Sequence, residues 1–315
     1  MTSTLLPPAP AAAAALSSPR RRRTGLGRRR QLTGALLALP AIALLGIFFL
    51  WPLTRTVFMS FFDWPMLGAA EFAGLDNYAK AFTDAEFLRA VGFTLVYTAL
   101  TTPLLLVVGF GLALLVSRRT RAARFFQTIY FLPVVIGLAS GSFLWLFMWQ
   151  SDVGPTTQLL GSLGLVDPAK NIFADYWGAL LIVVGMVTWK VAGLQMLLLL
   201  SGLQSIPVEV NEAARMDGAT GWQVFKHVTL PLLRPTLALV LVFSVAGSLL
   251  AFDQFYILTT GGPANSTITA VYQIYRTSFI QFDLGYGAAL SLLLMLVLGL
   301  VSAVQMLLLR NSDHS

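Results

Sequence analysis

Residues 284–309 read LGYGAALSLLLMLVLGLVSAVQMLLL, twenty-six positions without one Asp, Glu, Lys or Arg. Wound as an α-helix at ~1.5 Å per residue, the stretch spans about 39 Å, more than the ~30 Å hydrocarbon core of a bilayer. Its unbroken apolar character excludes a barrel strand, where apolar and polar residues alternate. Working outward, uncharged windows recur at 31–54, 90–117, 125–151 and 235–252, and the window 176–208 is interrupted only by Lys190. The pattern predicts an all-α membrane protein with six transmembrane helices, near 32–58, 91–116, 125–149, 178–201, 233–258 and 286–309.

Composition agrees. Of 315 residues 57% are hydrophobic and only 11% charged, where a soluble domain carries about 25% charged residues. With no cysteine and two histidines, His227 and His314, disulfides, thiolate chemistry and imidazole metal sites are all unexpected. The net charge of +7 does not point to nucleic acid, because the cations flank the apolar segments and form no separate basic domain.

Their distribution sets orientation, since Lys and Arg accumulate in cytoplasmic loops. With the N-terminus inside, the cytoplasmic side holds seven arginines within 20–30, then Arg118, Arg119, Arg121, Arg124, Arg215, Lys226, Arg234 and Arg310. The outer side holds only Lys80, Arg89, Lys170 and Arg276. N-in, C-in follows. Residues 1–31 are expected to be a disordered, basic cytoplasmic tail. The transmembrane domain then covers 32–310, and 311–315 form a cytoplasmic C-terminal tail.

The cytoplasmic loop 202–232, between the fourth and fifth spans, reads as two short helices. Ser205 and Pro207 look like a helix start and Gly218 a stop. Thr220-Gly221-Trp222-Gln223 reads as a capping box, and Pro231 and Pro235 lead into the fifth span. On the first helix, Val208, Glu209, Glu212, Ala213 and Ala214 make a short peg, small enough for a partner to approach. From spacing alone, a docking peg and a plain connector are both open.

Glu212-Ala213-Ala214, Gly218 and Val228-Thr229-Leu230-Pro231 resemble the EAA loop of ABC importer permeases, EAA-x3-G-x9-I-x-LP, departing only in Val228 for Ile. Phe72-Ala73-Gly74-Leu75-Asp76-Asn77-Tyr78, with Phe252-Asp253, Tyr256, Leu258-Thr259 and Gly261-Gly262-Pro263, resemble motifs of the carbohydrate branch, the maltose and glycerol-phosphate type. The likeness runs from about residue 35 to 310 and is that of a first-type subunit. It implies a bacterial or archaeal multi-pass membrane component, partnered by a second permease subunit, as a heterodimer. Two copies of an ABC ATPase and an extracytoplasmic solute-binding protein complete the implied assembly. Glu212, Ala213, Ala214, Asp217 and Gly218 would be the ATPase-coupling residues. No cofactor is implied for this chain itself, since ATP and magnesium would sit on the ATPase. Consistently, the sequence contains no G-x-x-x-x-G-K-[ST] phosphate loop.

Ionisable groups inside spans cost roughly 2.5–3.5 kcal/mol each on insertion scales and are functional candidates by default. Arg55 can snorkel from the outer end of the first span. Lys190 sits mid-span and Asp253 begins the outer third of the fifth. A carbohydrate pathway needs hydrogen-bonding groups and aromatic faces, which selects Trp189, Lys190, Gln195, Ser244, Ser248, Asp253 and Gln254. The competing reading is that they satisfy one another, with Lys190 paired to Asp253 as an interhelical lock. Trp145, Phe147, Met148 and Trp149 read as an interfacial aromatic belt.

The leading expectation is therefore a translocation subunit and not an enzyme, moving a di- or oligosaccharide inward. The alternative is a self-contained secondary transporter coupled to ions through Lys190 and Asp253. That would require inverted repeats, and the sequence shows no such self-similarity. A membrane-embedded glycosyltransferase would need catalytic carboxylates in a short motif, whereas Asp63, Glu71, Asp76, Asp84 and Glu86 scatter through a loop.

Overall fold

The computed structural model describes residues 26–118 and 120–310; the tail residues 1–25 and 311–315, and Arg119, lie outside the described residues. Two compact units divide after Thr54. The first holds α1 (Leu26–Leu45), a π-helical turn at Gly46–Leu50 and the start of α2 (Trp51–Met59), within which the division falls. The helix thus begins at Leu26, inside the stretch expected to be a tail. One candidate span, Leu36–Met59, belongs to this run.

After the end of α2, the second unit carries two two-residue strands, β1 (Phe62–Asp63) and β2 (Glu71–Phe72), paired antiparallel, a small departure from an all-helical chain. Then come α3 (Asp76–Ala81) and α4 (Ala85–Leu115). Next are α5 (Arg121–Val135), α6 (Leu138–Met148), α7 (Pro155–Ser162) and α8 (Tyr176–Gln204). The loop after α8 carries α9 (Val208–Met216), α10 (Gly221–Val224) and α11 (Leu230–Leu232). Last are α12 (Arg234–Leu249), α13 (Asp253–Leu258), α14 (Ala270–Tyr275) and α15 (Leu284–Arg310).

Three of the long helices, α4, α5 and α8, start where side chains can accept their first free N–H groups. The Asp84 carboxylate accepts from Glu86 N at 2.9 Å, the Thr120 hydroxyl from Ala123 N at 3.1 Å, and the Asp175 carboxylate from Gly178 N at 2.8 Å. At the centre lies α8: 56% of its most apolar window is buried, against 28% for α4 and for α15. Leu180, Val183 and Met186 pack with Phe93 and Tyr97 of α4 and Phe255 of α13. Nearer the other end, Met196 and Leu199 meet Ala113, Leu233 and Val240. Lipid is as apolar as these side chains, so close packing and small residues hold such helices together.

Two expected spans are corrected. Four helices are long and apolar enough to cross a membrane alone, and six spans result only if each of two bent pairs counts as one. The expected helix 125–149 bends by 97° between α5 and α6. Pro133, in the last turn of α5, has no N–H to give and crowds the preceding turn, and Gly137 starts the new helix. The expected helix 233–258 stops at Leu249. Its break at Leu250–Phe252 is stabilised from elsewhere, as the Thr269 hydroxyl donates to the Ala251 carbonyl at 2.6 Å. A second bend, of 66°, separates Gly221–Leu232 from α12.

The two outer-loop motifs have local structural roles. Asn77 Nδ2 donates to the carbonyls of Ser60 (3.0 Å) and Phe62 (2.9 Å), and the Tyr78 and Ser60 hydroxyls lie 2.7 Å apart. After α13, the Thr267 hydroxyl lies 2.8 Å from Thr259 Oγ1 and 2.6 Å from the Gly262 carbonyl, and the Gly262–Pro263 bond is cis. This turn returns the chain to the break it stabilises.

Candidate functional site

The loop site is built on α9. Glu209 in its first turn and Arg215 in its last complement the helix dipole. Its end is a Schellman closure, with Ala219 N donating to the Ala214 carbonyl and Gly218 N to that of Arg215, both at 3.0 Å. Gly218 sits at φ +83°, the left-handed region this closure requires. Two residues on, the expected capping box is present: Thr220 N donates to Gln223 Oε1 at 2.7 Å while Gln223 N reaches the Thr220 hydroxyl. Ser205 departs from expectation. It closes α8, its hydroxyl donating to the Gly202 carbonyl, and starts nothing; Pro207 alone precedes α9.

Glu212, Ala213, Asp217 and Gly218 are exposed and Ala214 is half-buried. A groove of about 460 Å³ runs behind α9, lined by Glu212, Asn211, Arg215, Val224 and Phe225 and by Leu114 at the end of α4. Trp222 stacks on Phe225 at 5.4 Å, and Phe225 meets Phe110 of α4 at 5.8 Å, so the loop is in ring contact with the second span.

The interior candidates separate into groups. Gln195 Nε2 donates to the Ser244 hydroxyl at 2.7 Å, and both are buried, so these two satisfy one another. Ser248 is buried one turn further along α12. Gln254 is buried with its amide 3.4 Å from the Tyr97 hydroxyl. Lys190 does not pair with Asp253: its ammonium donates to the backbone carbonyls of Ile136 and Val134, at the bend between α5 and α6. Among the described residues the ion pairs are Lys80–Asp283 and Lys170–Asp167, both outside the spans. Trp189, 37% exposed, has its ring 6.0 Å from that of Trp145. Trp145 is half-buried against the core, whereas Phe147 is exposed. Arg55 lies over the Trp64 and Phe58 rings, at 5.8 and 6.0 Å.

Asp253, half-exposed, heads α13 beside an aromatic cluster that the interior selection passed over. Phe252 stacks on Tyr256 at 5.3 Å and contacts Tyr275 at 5.2 Å, Tyr256 and Tyr275 lie 5.5 Å apart, and Phe279 extends the row. The available signal was spacing, with Tyr272, Tyr275 and Phe279 three and four residues apart on one helical face. Burial pushes the Tyr272 phenol up, and the hydrogen bond Tyr275 donates to Tyr256 does the same to Tyr275, so both hydroxyls remain protonated near neutrality.

A family model described as the inner-membrane component of binding-protein-dependent transport systems matches residues 118–312. The chain belongs to that family. Among curated relatives, this permease is 36% identical over 270 residues to the sn-glycerol-3-phosphate transport system permease protein UgpA of Yersinia pestis, covering 84% of this chain and 90% of that one. It is 31% identical over 288 residues to the lactose transport system permease protein LacF of Rhizobium radiobacter, covering 90% and 96%. Among solved structures, a chain of a bacterial alginate ABC transporter, in complex with its alginate pentasaccharide-bound periplasmic protein, superimposes with a TM-score of 0.76. That match covers 93% of the permease and 96% of the other chain at 22% identity, a likeness of fold.

Proposed function

We propose that this permease is one membrane subunit of an ATP-driven importer that takes up a carbohydrate, a di- or oligosaccharide, delivered by an extracytoplasmic binding protein. The exposed peg α9 carries the reading: Glu212, Ala213, Ala214, Asp217 and Gly218 stand together at a sharply closed helix end, as a surface for a separate ATPase. Behind it the Phe225–Phe110 contact gives loop movement a route into the spans. ATP and magnesium would be held by the ATPase, in two copies, and a second permease subunit, in a heterodimer, would complete the pathway. Counted as six spans with both termini inside, the chain would carry the peg on the cytoplasmic side.

The carbohydrate assignment is supported by relatives named for glycerol-phosphate and lactose transport. Asp253, with Phe252, Tyr256 and Tyr275 beside it, has the chemistry a sugar ring asks for, hydroxyl-directed polar groups next to flat aromatic faces. Ser248 and Gln254 would contribute to the same pathway, with Trp189 on its other wall. Gln195 and Ser244 would bound it while holding each other.

The test is ATP hydrolysis by the reconstituted complex with its binding protein and a panel of sugars. A sugar should stimulate hydrolysis in the wild type. Stimulation should be lost in Glu212→Ala combined with Gly218→Pro, whose ring cannot adopt a positive φ. If no ATPase copurifies and the protein alone moves solute down an ion gradient, the secondary-transporter reading replaces this one.

A further inference from the structure

A lysine in mid-span must find acceptors, because no water reaches the hydrocarbon region. Lys190 finds them in the carbonyls of Val134 and Ile136, 56 and 54 residues upstream. Val134 is in the last turn of α5 and Ile136 caps its end, where the 97° bend deprives the carbonyls of helical partners. A cation there also suits the partial negative charge of a helix C-terminus. Neighbours on α8 hold both arms of the bend. Gly193 lies so close to Tyr130 of α5 that a Cβ would fall 2.0 Å from its carbonyl oxygen. Trp189 contacts Trp145 of α6, and Gly185 faces the same ring. Beyond the bend, α6 packs on α13, the helix headed by Asp253.

We infer that Lys190 is a positioning residue, a cationic cap supplied by α8 that fixes the angle of the broken third span and so sets α6 against the pathway helix α13. This replaces a direct role on solute. The inference rests on the importer reading only through the transport assay, and the geometry can be read without it.

Since the chain has no cysteine, spin labels can be placed at Phe147→Cys on α6 and Leu194→Cys on α8, both exposed, in the assembled complex. One narrow distance is expected for the otherwise unmodified chain and for Lys190→Arg, which keeps the cation. Lys190→Met should broaden the distance and lower the maximal transport rate by about five- to tenfold. The solute concentration for half-maximal transport should stay within about twofold, because no solute contact is removed. An unchanged distance in Lys190→Met overturns the inference, whether transport falls or not. If that variant does not assemble, Lys190→Gln, which keeps an N–H donor and loses the charge, is measured instead. An undisturbed distance there overturns the cationic cap. A distance that responds while neither protein transports sugar would sink the importer reading and leave the cap standing.

Discussion

At Gln195 and Ser244 two polar side chains chosen as pathway candidates turn out to hold each other. Removing one partner strands a buried amide whose Oε1 already lacks a partner, a loss of about 1–3 kcal/mol by soluble-protein reckoning. In a membrane the unfolded helices also find partners, and measured interhelical couplings average ~0.6 kcal/mol, up to about 1.7. The second figure should govern. A double-mutant cycle with Ser244→Ala and Gln195→Leu, read by denaturant unfolding in detergent, should give a coupling energy of about 0.5–1.7 kcal/mol. A value near zero would return both side chains to the pathway. A backbone contact is less forgiving: Gly193→Ala drives a Cβ into the Tyr130 carbonyl, which no rotamer change can move aside. A loss of about 1–3 kcal/mol is expected. Gly92→Ala, on α4 with nothing within 4 Å of the added Cβ, should be neutral or stabilising by about 0.5–1 kcal/mol. Thermal unfolding of the two variants side by side separates crowding from helix propensity.

Among elements, α9 depends on its ends, because nine residues make too short a helix to stand alone in water. Forcing a branched residue into the left-handed conformation at Gly218 costs about 1–2 kcal/mol, and losing the Thr220 cap about 1 kcal/mol. Gly218→Val should therefore release the Schellman closure and lower sugar-stimulated ATP hydrolysis more than Thr220→Ala does, with comparable amounts of complex recovered. Equal activities in the two variants would mean that the end of α9 does not matter for coupling. These ends were legible in the sequence because they are local: Gly218, Thr220 with Gln223, and the start at Pro207 all act within a few residues. The bends were not. An apolar window has the same hydropathy straight or folded by 97°, and Pro133 alone permits a straight, kinked or broken helix. What settles the geometry is a lysine 54 residues downstream, and at Ala251 a threonine hydroxyl 18 residues downstream. Ser205 misled for a related reason, since a serine serves either end of a helix and α8 ran three residues past the expected end of its span at 201. The aromatic cluster around Asp253 was half legible: Phe252 and Tyr256 lie in a quoted motif, while Tyr272, Tyr275 and Phe279 join them only through the turn at 259–269.

For the whole molecule, the bent pairs decide the topology. If α5 and α6 together cross the membrane, Arg121 and Lys170 lie on opposite sides; if the pair is re-entrant, they lie on the same side. Charge favours crossing, because four arginines crowd the segment 118–124 while Lys170 stands alone in the loop before α8. The same rule puts Met216, at the end of α9, with the arginines. The cysteine-free chain permits a direct test with Arg121→Cys, Lys170→Cys and Met216→Cys, each at an exposed position. In intact cells a membrane-impermeant maleimide should label only Lys170→Cys; after permeabilisation it should label all three. Labelling of Arg121→Cys together with Lys170→Cys would make the third span re-entrant. Labelling of Met216→Cys from outside would put Glu212 on the face opposite to ATP, and no coupling through α9 could then operate. The expected pattern instead places α9 where ATP is, with Asp253 and its aromatic neighbours toward the opposite side. On the proposed coupling, movement of the peg would have to cross the membrane through α8, α4 and α12 to reach the solute.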